Sequence, residues 1–283
     1  MKKYIILLLL LILVAFFLYI NNNNRVMHVS QVESYQATGK NVDNKENIKL
    51  LTYNIRHGVG VDGRLDLDRI VEVIKYSGAE IIGLNEVDYL MRRSGFRNQV
   101  GYIAEKLGMN YAFGASEKQI AGSYGNAILS RYPIVRVENH ELPSLVDKKM
   151  EKRALIKSKI KISDDKSIYV LSTHLSLNCT ERSKQIIWLE KFLSVFSEPY
   201  ILMGDFNTEI DEINYVLNEN DITSSALIPI PVLLQRKTYP SVNPVKGVDM
   251  YFSSLSFEVK DSHTINTTAS DHLPVYLEVE FAG

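Results

Sequence analysis

Asp205 and Asn207 close the stretch Tyr200-Ile201-Leu202-Met203-Gly204-Asp205-Phe206-Asn207. Four mainly apolar residues read as a buried strand, the glycine opens a turn, and the acid and the amide sit where the strand runs out. Side chains two positions apart on an extended backbone share a face, so this pair can point into one cleft. A carboxylate and a carboxamide placed so can polarise an attacking water and hold a phosphate oxygen. The same residue types also make an ordinary Asx turn. Other polar residues fall in similar places. Asn54 ends the apolar run from Ile48, Glu86 follows Ala79 to Leu84, and His174 follows Ile168 to Ser172. Asp249 lies inside Val248-Asp249-Met250-Tyr251-Phe252, and Asp271-His272 precedes the run Leu273 to Phe281. Strand ends at a common edge can build one cleft from residues distant in sequence. A carboxylate inside a strand needs a partner, because a buried unpaired charge is costly, and a histidine would serve.

The chemistry such a set supports is metal-assisted hydrolysis of a phosphoester. A hard divalent ion such as Mg²⁺, with Mn²⁺ as its substitute, takes oxygen ligands, often one or two carboxylates plus waters and substrate phosphate. Glu86 is the first ligand candidate and Asp271 the second. His272, oriented by Asp249, supplies a general base near neutral pKa. Asp205 would orient the attacking water, while Asn54, Asn207 and His174 would donate hydrogen bonds to the phosphate. Taken singly, each has a plain alternative: a turn asparagine, a solvated loop acid beside Asp88, a satisfied core histidine, an ordinary strand entry. Their coincidence in order is what points to a site.

The elements that must position these residues follow from hydrophobic periodicity. Asp66 caps a helix whose Leu67, Ile70, Val71 and Ile74 share one face, and Phe96 to Leu107 reads as a second helix. Thr180 to Phe196 and Glu209 to Asn218 read as two more. Tyr124 to Ser130, Ile134 to Val137, Ala154 to Ile162 and Phe257 to His263 add strands, with Asp164-Asp165-Lys166 a hairpin turn. Adjacent strands mix with strands separated by helices, so a purely parallel doubly wound sheet does not fit. Two packed, largely antiparallel sheets with helices outside fit better.

Lys2-Lys3 is followed by an uncharged apolar run from Tyr4 to Ile20. This reaches the lower edge of bilayer-spanning length, about 17–25 residues, and exceeds the roughly 7–15 apolar residues of a cleaved signal. Residues 1–20 are therefore expected to form an uncleaved signal-anchor. The lysines stay cytoplasmic, which puts the rest of the chain outside the cytoplasm at the cell membrane. Residues 21–46, rich in Asn, Ser, Gln, Lys and Glu, read as a flexible tether, and 47–283 as the catalytic domain. The formal net charge is −1, and setting aside Lys2 and Lys3 leaves the remainder more acidic still. No global basic field is available to grip nucleic acid, so attraction to phosphate must be local or metal-mediated. The lone Cys179 excludes an internal disulfide and a cysteine zinc cluster.

The motifs Leu51-Thr52-Tyr53-Asn54-Ile55, Ile82-Gly83-Leu84-Asn85-Glu86-Val87, Gly125-Asn126-Ala127-Ile128-Leu129-Ser130, Ser172-Thr173-His174-Leu175, Gly204-Asp205-Phe206-Asn207, Val248-Asp249-Met250-Tyr251-Phe252 and Ser270-Asp271-His272-Leu273-Pro274-Val275 occur in this order. The chain so resembles the endonuclease/exonuclease/phosphatase superfamily over about residues 47 to 283. The resemblance implies a four-layer α/β sandwich of two mixed or antiparallel sheets with outer helices, and Mg²⁺-dependent phosphoester hydrolysis. It implies Asn54 and Glu86 at a metal, with Asp271 a further acid there. Asp205 and Asn207 become the water- and phosphate-orienting pair, Asp249 and His272 an acid–base dyad, and Asn126 a substrate-side amide. His174 would assist the phosphate or leaving group. Some relatives place an orienting acid for that histidine near Lys152-Arg153-Ala154, where Glu151 is the nearby candidate.

The expected substrate is a phosphoester: nucleic acid, a phospholipid headgroup or a phosphorylated metabolite. A membrane-tethered monomeric phosphodiesterase fits first. A phosphomonoesterase on a soluble metabolite and a non-catalytic surface binding module stand as alternatives; retention of the whole polar set speaks against the last. Arg92-Arg93 with Arg97, and Lys148-Lys149 with Lys152-Arg153, could meet a polyanion but also read as solvated loops.

Overall fold

A computed structural model describes residues 47–119, 122–145, 151–222, 226–227, 236–254 and 256–282. The expected anchor, the tether and Lys148-Lys149 lie outside the described residues. No helix among the described residues is long and apolar enough to cross a membrane.

Among the described residues, eleven strands form two sheets: β1 (Asn47–Asn54), β2 (Ile81–Tyr89), β3 (Asn110–Gln119), β4 (Gly122–Ser130), β5 (Ile134–Glu141), β6 (Ala154–Lys161), β7 (Ser167–His174), β8 (Tyr200–Asp205), β9 (Asp249–Ser253), β10 (Phe257–Thr264) and β11 (Val275–Phe281). The first sheet runs β10-β11-β1-β2-β4-β3 and the second β5-β6-β7-β8-β9. Each contains a single parallel pair, β1 with β2 and β7 with β8, among antiparallel neighbours. Parallel neighbours need a crossover. Helix α1 (Leu67–Ser77) supplies it in the first sheet and α3 (Cys179–Leu193) in the second, with α2 (Gln99–Leu107) and α4 (Ile210–Glu219) beside them.

Among the described residues, alternation sorts the strand side chains into three clusters, one between the sheets and one on each outer face. Ile48 and Leu50 of β1 face inward, where Ile81, Ala112 and Ile128 meet Ile156, Ile168, Val170, Ile201 and Met203 of the second sheet. Leu51 and Tyr53 face outward onto Leu67, Ile70, Val71 and Ile74 of α1. Likewise Leu171 and Leu202 pack outward on Ile186, Leu189 and Leu193 of α3. Each aliphatic side chain moved from water to these interiors is worth roughly 1.5–3 kcal/mol. The layers are therefore helix, sheet, sheet, helix. This is the four-layer arrangement expected, and it explains why the central strands read as unbroken apolar runs.

Helix starts are set by side-chain caps. Asp66 Oδ1 accepts the N–H groups of Asp68 and Arg69 at 3.0 and 3.3 Å, and Asn98 accepts that of Gly101 at 2.9 Å. The second cap corrects the helix expected from Phe96. Asn98 stops it from starting earlier, and Phe96 sits in the left-handed region at φ 56°. β3 had no counterpart in the sequence reading. The strand expected to end at Leu84 continues to Tyr89, with its register broken between Leu84 and Val87.

Candidate active site

Both parallel pairs deliver polar residues at their C-terminal ends. Asn54 closes β1 beside Asn85 of β2, and His174 closes β7 directly opposite Asp205 at the end of β8. The irregularity in β2 holds Glu86 at φ 58°, a costly conformation for a non-glycine residue, and frees its side chain from the regular alternation. At the end of β8, Gly204 is part of the strand and does not open a turn. Its φ is 145°, and a Cβ there would lie 1.9 Å from the Thr173 carbonyl oxygen, so only glycine lets β8 approach β7 this closely. The turn follows it. Asp205 Oδ1 accepts the Asn207 N–H at 2.8 Å, with Asn207 at φ 52°. Asp205 and Asn207 thus belong to an Asx turn and to the cleft at once; the turn, not strand alternation, aims Asn207.

Asn54 joins the two sheets. Its Nδ2 donates to Glu86 Oε1 at 3.1 Å and to Asp205 Oδ2 at 3.0 Å, while its Oδ1 accepts the Arg56 N–H at 3.0 Å. Its amide oxygen accepts one backbone N–H and its nitrogen faces the carboxylates, so in this arrangement it acts as a donor bridge between them. Asp205 is further fixed by its own N–H, which donates to Asn85 Oδ1 at 3.0 Å. Across it, His272 donates from Nδ1 to Asp249 Oδ2 at 2.9 Å and turns Nε2 to within 3.7 Å of Asp205 Oδ2. Asp249 Oδ1 is buried with no hydrogen-bond partner. Thr238 Oγ1 accepts the N–H groups of Val248 and Asp249 at 3.3 and 3.4 Å, and the neighbouring Tyr239 ring lies 4.8 Å from that of His272, centre to centre.

Burial alone would discharge the His272 ring, but the carboxylates of Asp249, Asp205 and Asp271 outweigh it and hold its pKa up at about 10. Burial pushes Asp205 up to about 6, against the opposing pull of His272. A proton acceptor near neutrality was expected of His272 alone. Here three carboxylates raise the basicity of the ring, and the proton-accepting property belongs to the Asp205–His272 pair. Glu86 is raised by burial first, with the charge of Asp271 adding to it. Glu86, with the charge of Asp271 close enough to act on it, leaves two carboxylates that offer only oxygen donors and suit a hard divalent cation. Asp271 meets Arg56 Nε at 3.5 Å, and Glu86 Oε2 lies 4.0 Å from His57 Nδ1. Asp205, Asp249 and His272 also bring donor atoms within 4.8 Å of one another. With His272 Nδ1 already spent on Asp249, that second cluster works as a proton relay more readily than as a cage.

His174 is buried, with Nδ1 3.2 Å from Arg153 Nη1 and Nε2 2.8 Å from Asn207 Nδ2. Burial, then the cationic charge of Arg153 and of His272, keeps its pKa well below the usual histidine value. Glu151, the expected orienting acid, touches Arg153 Nη2 at 3.2 Å and does not reach the imidazole among the contacts seen. Asn126 is tied into the protein: its Oδ1 accepts from Asn85 Nδ2 at 2.8 Å and its Nδ2 donates to the Ala154 carbonyl at 2.9 Å. Three contributors escaped the sequence reading: Arg153, Asn85 and Thr238. Asn85 stood beside Glu86 and Arg153 two positions from Glu151, which was the available signal; Thr238 had no such neighbour.

The chain matches the family described as "PGAP2IP, C-terminal nuclease-like domain" over residues 45–226. It is 26% identical over 250 residues to the uncharacterized protein YbhP of Escherichia coli K12, spanning 82% of this chain and 95% of that one. Among solved structures, an endonuclease/exonuclease/phosphatase family protein of Bacteroides thetaiotaomicron superposes with a TM-score of 0.65 at 18% identity, over 84% of this chain and 98% of the other. The mannosyl-6-phosphatase Bt3783 of the same organism gives 0.63 at 18% identity, over 83% and 100%. At these identities the two structures speak for the fold.

Proposed function

The chain belongs to the family of PGAP2IP C-terminal nuclease-like domains, within the endonuclease/exonuclease/phosphatase superfamily, and on that premise we propose that it is a divalent-metal-dependent phosphodiesterase tethered at the outer face of the cell membrane. One observation carries the reading: Asn54 Nδ2 bonds Glu86 at 3.1 Å and Asp205 at 3.0 Å, which ties the acidic group on the first sheet to Asp205 on the second and so to the Asp205–His272–Asp249 proton relay. Glu86 and Asp271 would hold the ion, Mg²⁺ or Mn²⁺. When bound it polarises a phosphoryl oxygen and neutralises developing charge.

The chain's own groups do the rest. Asp205, raised in pKa and 3.7 Å from His272 Nε2, shares with it the proton taken from an attacking water. Asp249 keeps the ring oriented through Nδ1. His174 and Asn207 face the phosphate as hydrogen-bond donors, with buried Arg153 behind them. Among the described residues, Arg153, buried, and Arg56, partly exposed, already face Glu151 and Asp271, and cations so committed suit the single charge of a diester better than the double charge of a monoester. The extracytoplasmic placement rests on Lys2-Lys3 preceding the apolar run Tyr4 to Ile20.

The test is turnover by the purified full-length protein, with Mg²⁺ or EDTA, of plasmid DNA, phospholipid vesicles and sugar phosphates. Diester cleavage lost in EDTA, and reduced at least about 100-fold in Asp205→Asn and His272→Ala, is the expected result. Metal-dependent release of phosphate from sugar phosphates alone would make it a monoesterase. No metal-dependent turnover of any of them would overturn the enzyme reading.

A further inference from the structure

Arg153 sits behind His174, and the chemistry of its guanidinium decides where the imidazole carries its proton. A guanidinium has donors only. With Arg153 Nη1 3.2 Å from His174 Nδ1, that nitrogen must present its lone pair, and the proton of the neutral ring then lies on Nε2. Nε2 in turn is 2.8 Å from Asn207 Nδ2. That amide cannot simply be reversed, because the same atom donates to the Leu175 carbonyl at 2.9 Å. Two N–H groups therefore point at each other, with the nearest carboxylate oxygen, Asp205 Oδ2, 3.5 Å from Nε2. Opposed donors without a shared acceptor cost free energy in a buried place. An oxygen about 2.8–3.0 Å from both nitrogens would accept from each and remove that cost.

We propose that Arg153 is a positioning residue which fixes His174 as its Nε2–H tautomer, so that His174 and Asn207 together seat one anionic oxygen. The oxygen's identity as a phosphoryl oxygen rests on the hydrolase reading above; the tautomer does not. An acid at Nδ1 would have accepted the Nδ1 proton and favoured the imidazolium. A guanidinium has the opposite effect and makes His174 a neutral donor, unsuited to shuttling protons. Glu151, held by Nη2 at 3.2 Å, serves the imidazole only through Arg153.

The test is ¹⁵N NMR of the full-length protein labelled at histidine, where ring couplings separate the two neutral tautomers and the imidazolium. The His174 signal is assigned by its loss in His174→Gln. The wild type is expected to show Nε2–H. Arg153→Met should lose that pattern and cut kcat by about tenfold or more with KM little changed, while Arg153→Lys, which keeps a donor, should retain the pattern and recover most of kcat. An Nδ1–H or imidazolium pattern in the wild type overturns the proposal, as does an Arg153→Met variant that keeps both tautomer and kcat. Should Arg153→Met fail to fold, the wild-type and Arg153→Lys spectra still decide. If the tautomers behave as expected and no phosphoester is turned over, Arg153 keeps its role and the hydrolase reading falls.

Discussion

Asp249 and His272 are two side chains that neither strand nor loop alone could have kept buried. Each removes the other's penalty, through a 2.9 Å charge-assisted bond. The pairing has a measurable consequence for stability. A histidine whose folded pKa is raised stabilises the fold fully below its unfolded value of 6.5, and loses that contribution as pH rises through about 10. Asp249→Asn removes the first attractive charge, so the decline in melting temperature across that window should be shallower in the variant than in the wild type. Thermal melts of both proteins at the two ends of the window check this; parallel slopes would mean that Asp249 is not what holds the proton on. At the same scale, donor inventory separates residues that look alike in sequence. Asn54 ends β1 and Asn207 follows β8, while Asn85 and Asn126 lie within β2 and β4. Asn126 bonds Asn85 and the Ala154 carbonyl, and Asn207 alone of the four turns an N–H toward His174.

Among the elements, the parallel pairs β1–β2 and β7–β8 matter most, because their C-terminal ends carry Asn54, Glu86, His174 and Asp205. Gly204 is the point on which the second pair depends. Gly204→Ala would set a methyl 1.9 Å from a backbone oxygen that cannot move without breaking the ladder. A loss of about 2–4 kcal/mol is expected, read by urea denaturation. Gly78→Ala, at φ 65° with open space around it, should cost only about 1–2 kcal/mol. Equal losses would show that conformational strain alone, and not the strand approach, makes Gly204 necessary. The helices do less for the site; their caps and apolar faces fix the outer layers against which the strands are held flat.

For the whole molecule, the two sheets closing on one core bring residues from opposite ends of the domain within bonding distance; Asn54 and Asp205 are one example at 3.0 Å. The proposed anchor acts at this scale too. A flexible polar tether the length of residues 21–46 has a root-mean-square reach of roughly 25–30 Å, which would keep the site near a membrane surface without fixing its orientation. Full-length protein expressed in cells should sediment with membranes, resist high salt and be released by detergent. A soluble, shortened mature protein would rule the anchor out.

The sequence by itself determined two packed sheets with helices outside and the polar residues where apolar runs stop, because both leave local marks; the four layers came with the family resemblance. Apolar runs buried on two faces and polar residues where those runs stop are visible without coordinates. It also named the partner of Asp249, since a buried carboxylate narrows the choices to a few. Only the tertiary structure decided what each polar group has left to offer. Asn126 and Asn54 were expected at substrate and metal; the hydrogen bonds that tie Asn126 to Asn85 and Ala154, and Asn54 to Glu86 and Asp205, are invisible in one dimension. The charge on His272 depends on three carboxylates converging from β8, β9 and the loop before β11. Arg153 in place of an acid behind His174 could be read as a letter, but its effect on a proton required the 3.2 Å contact. Hydrogen bonding and electrostatics act through space over a few ångströms, and only folding sets those distances.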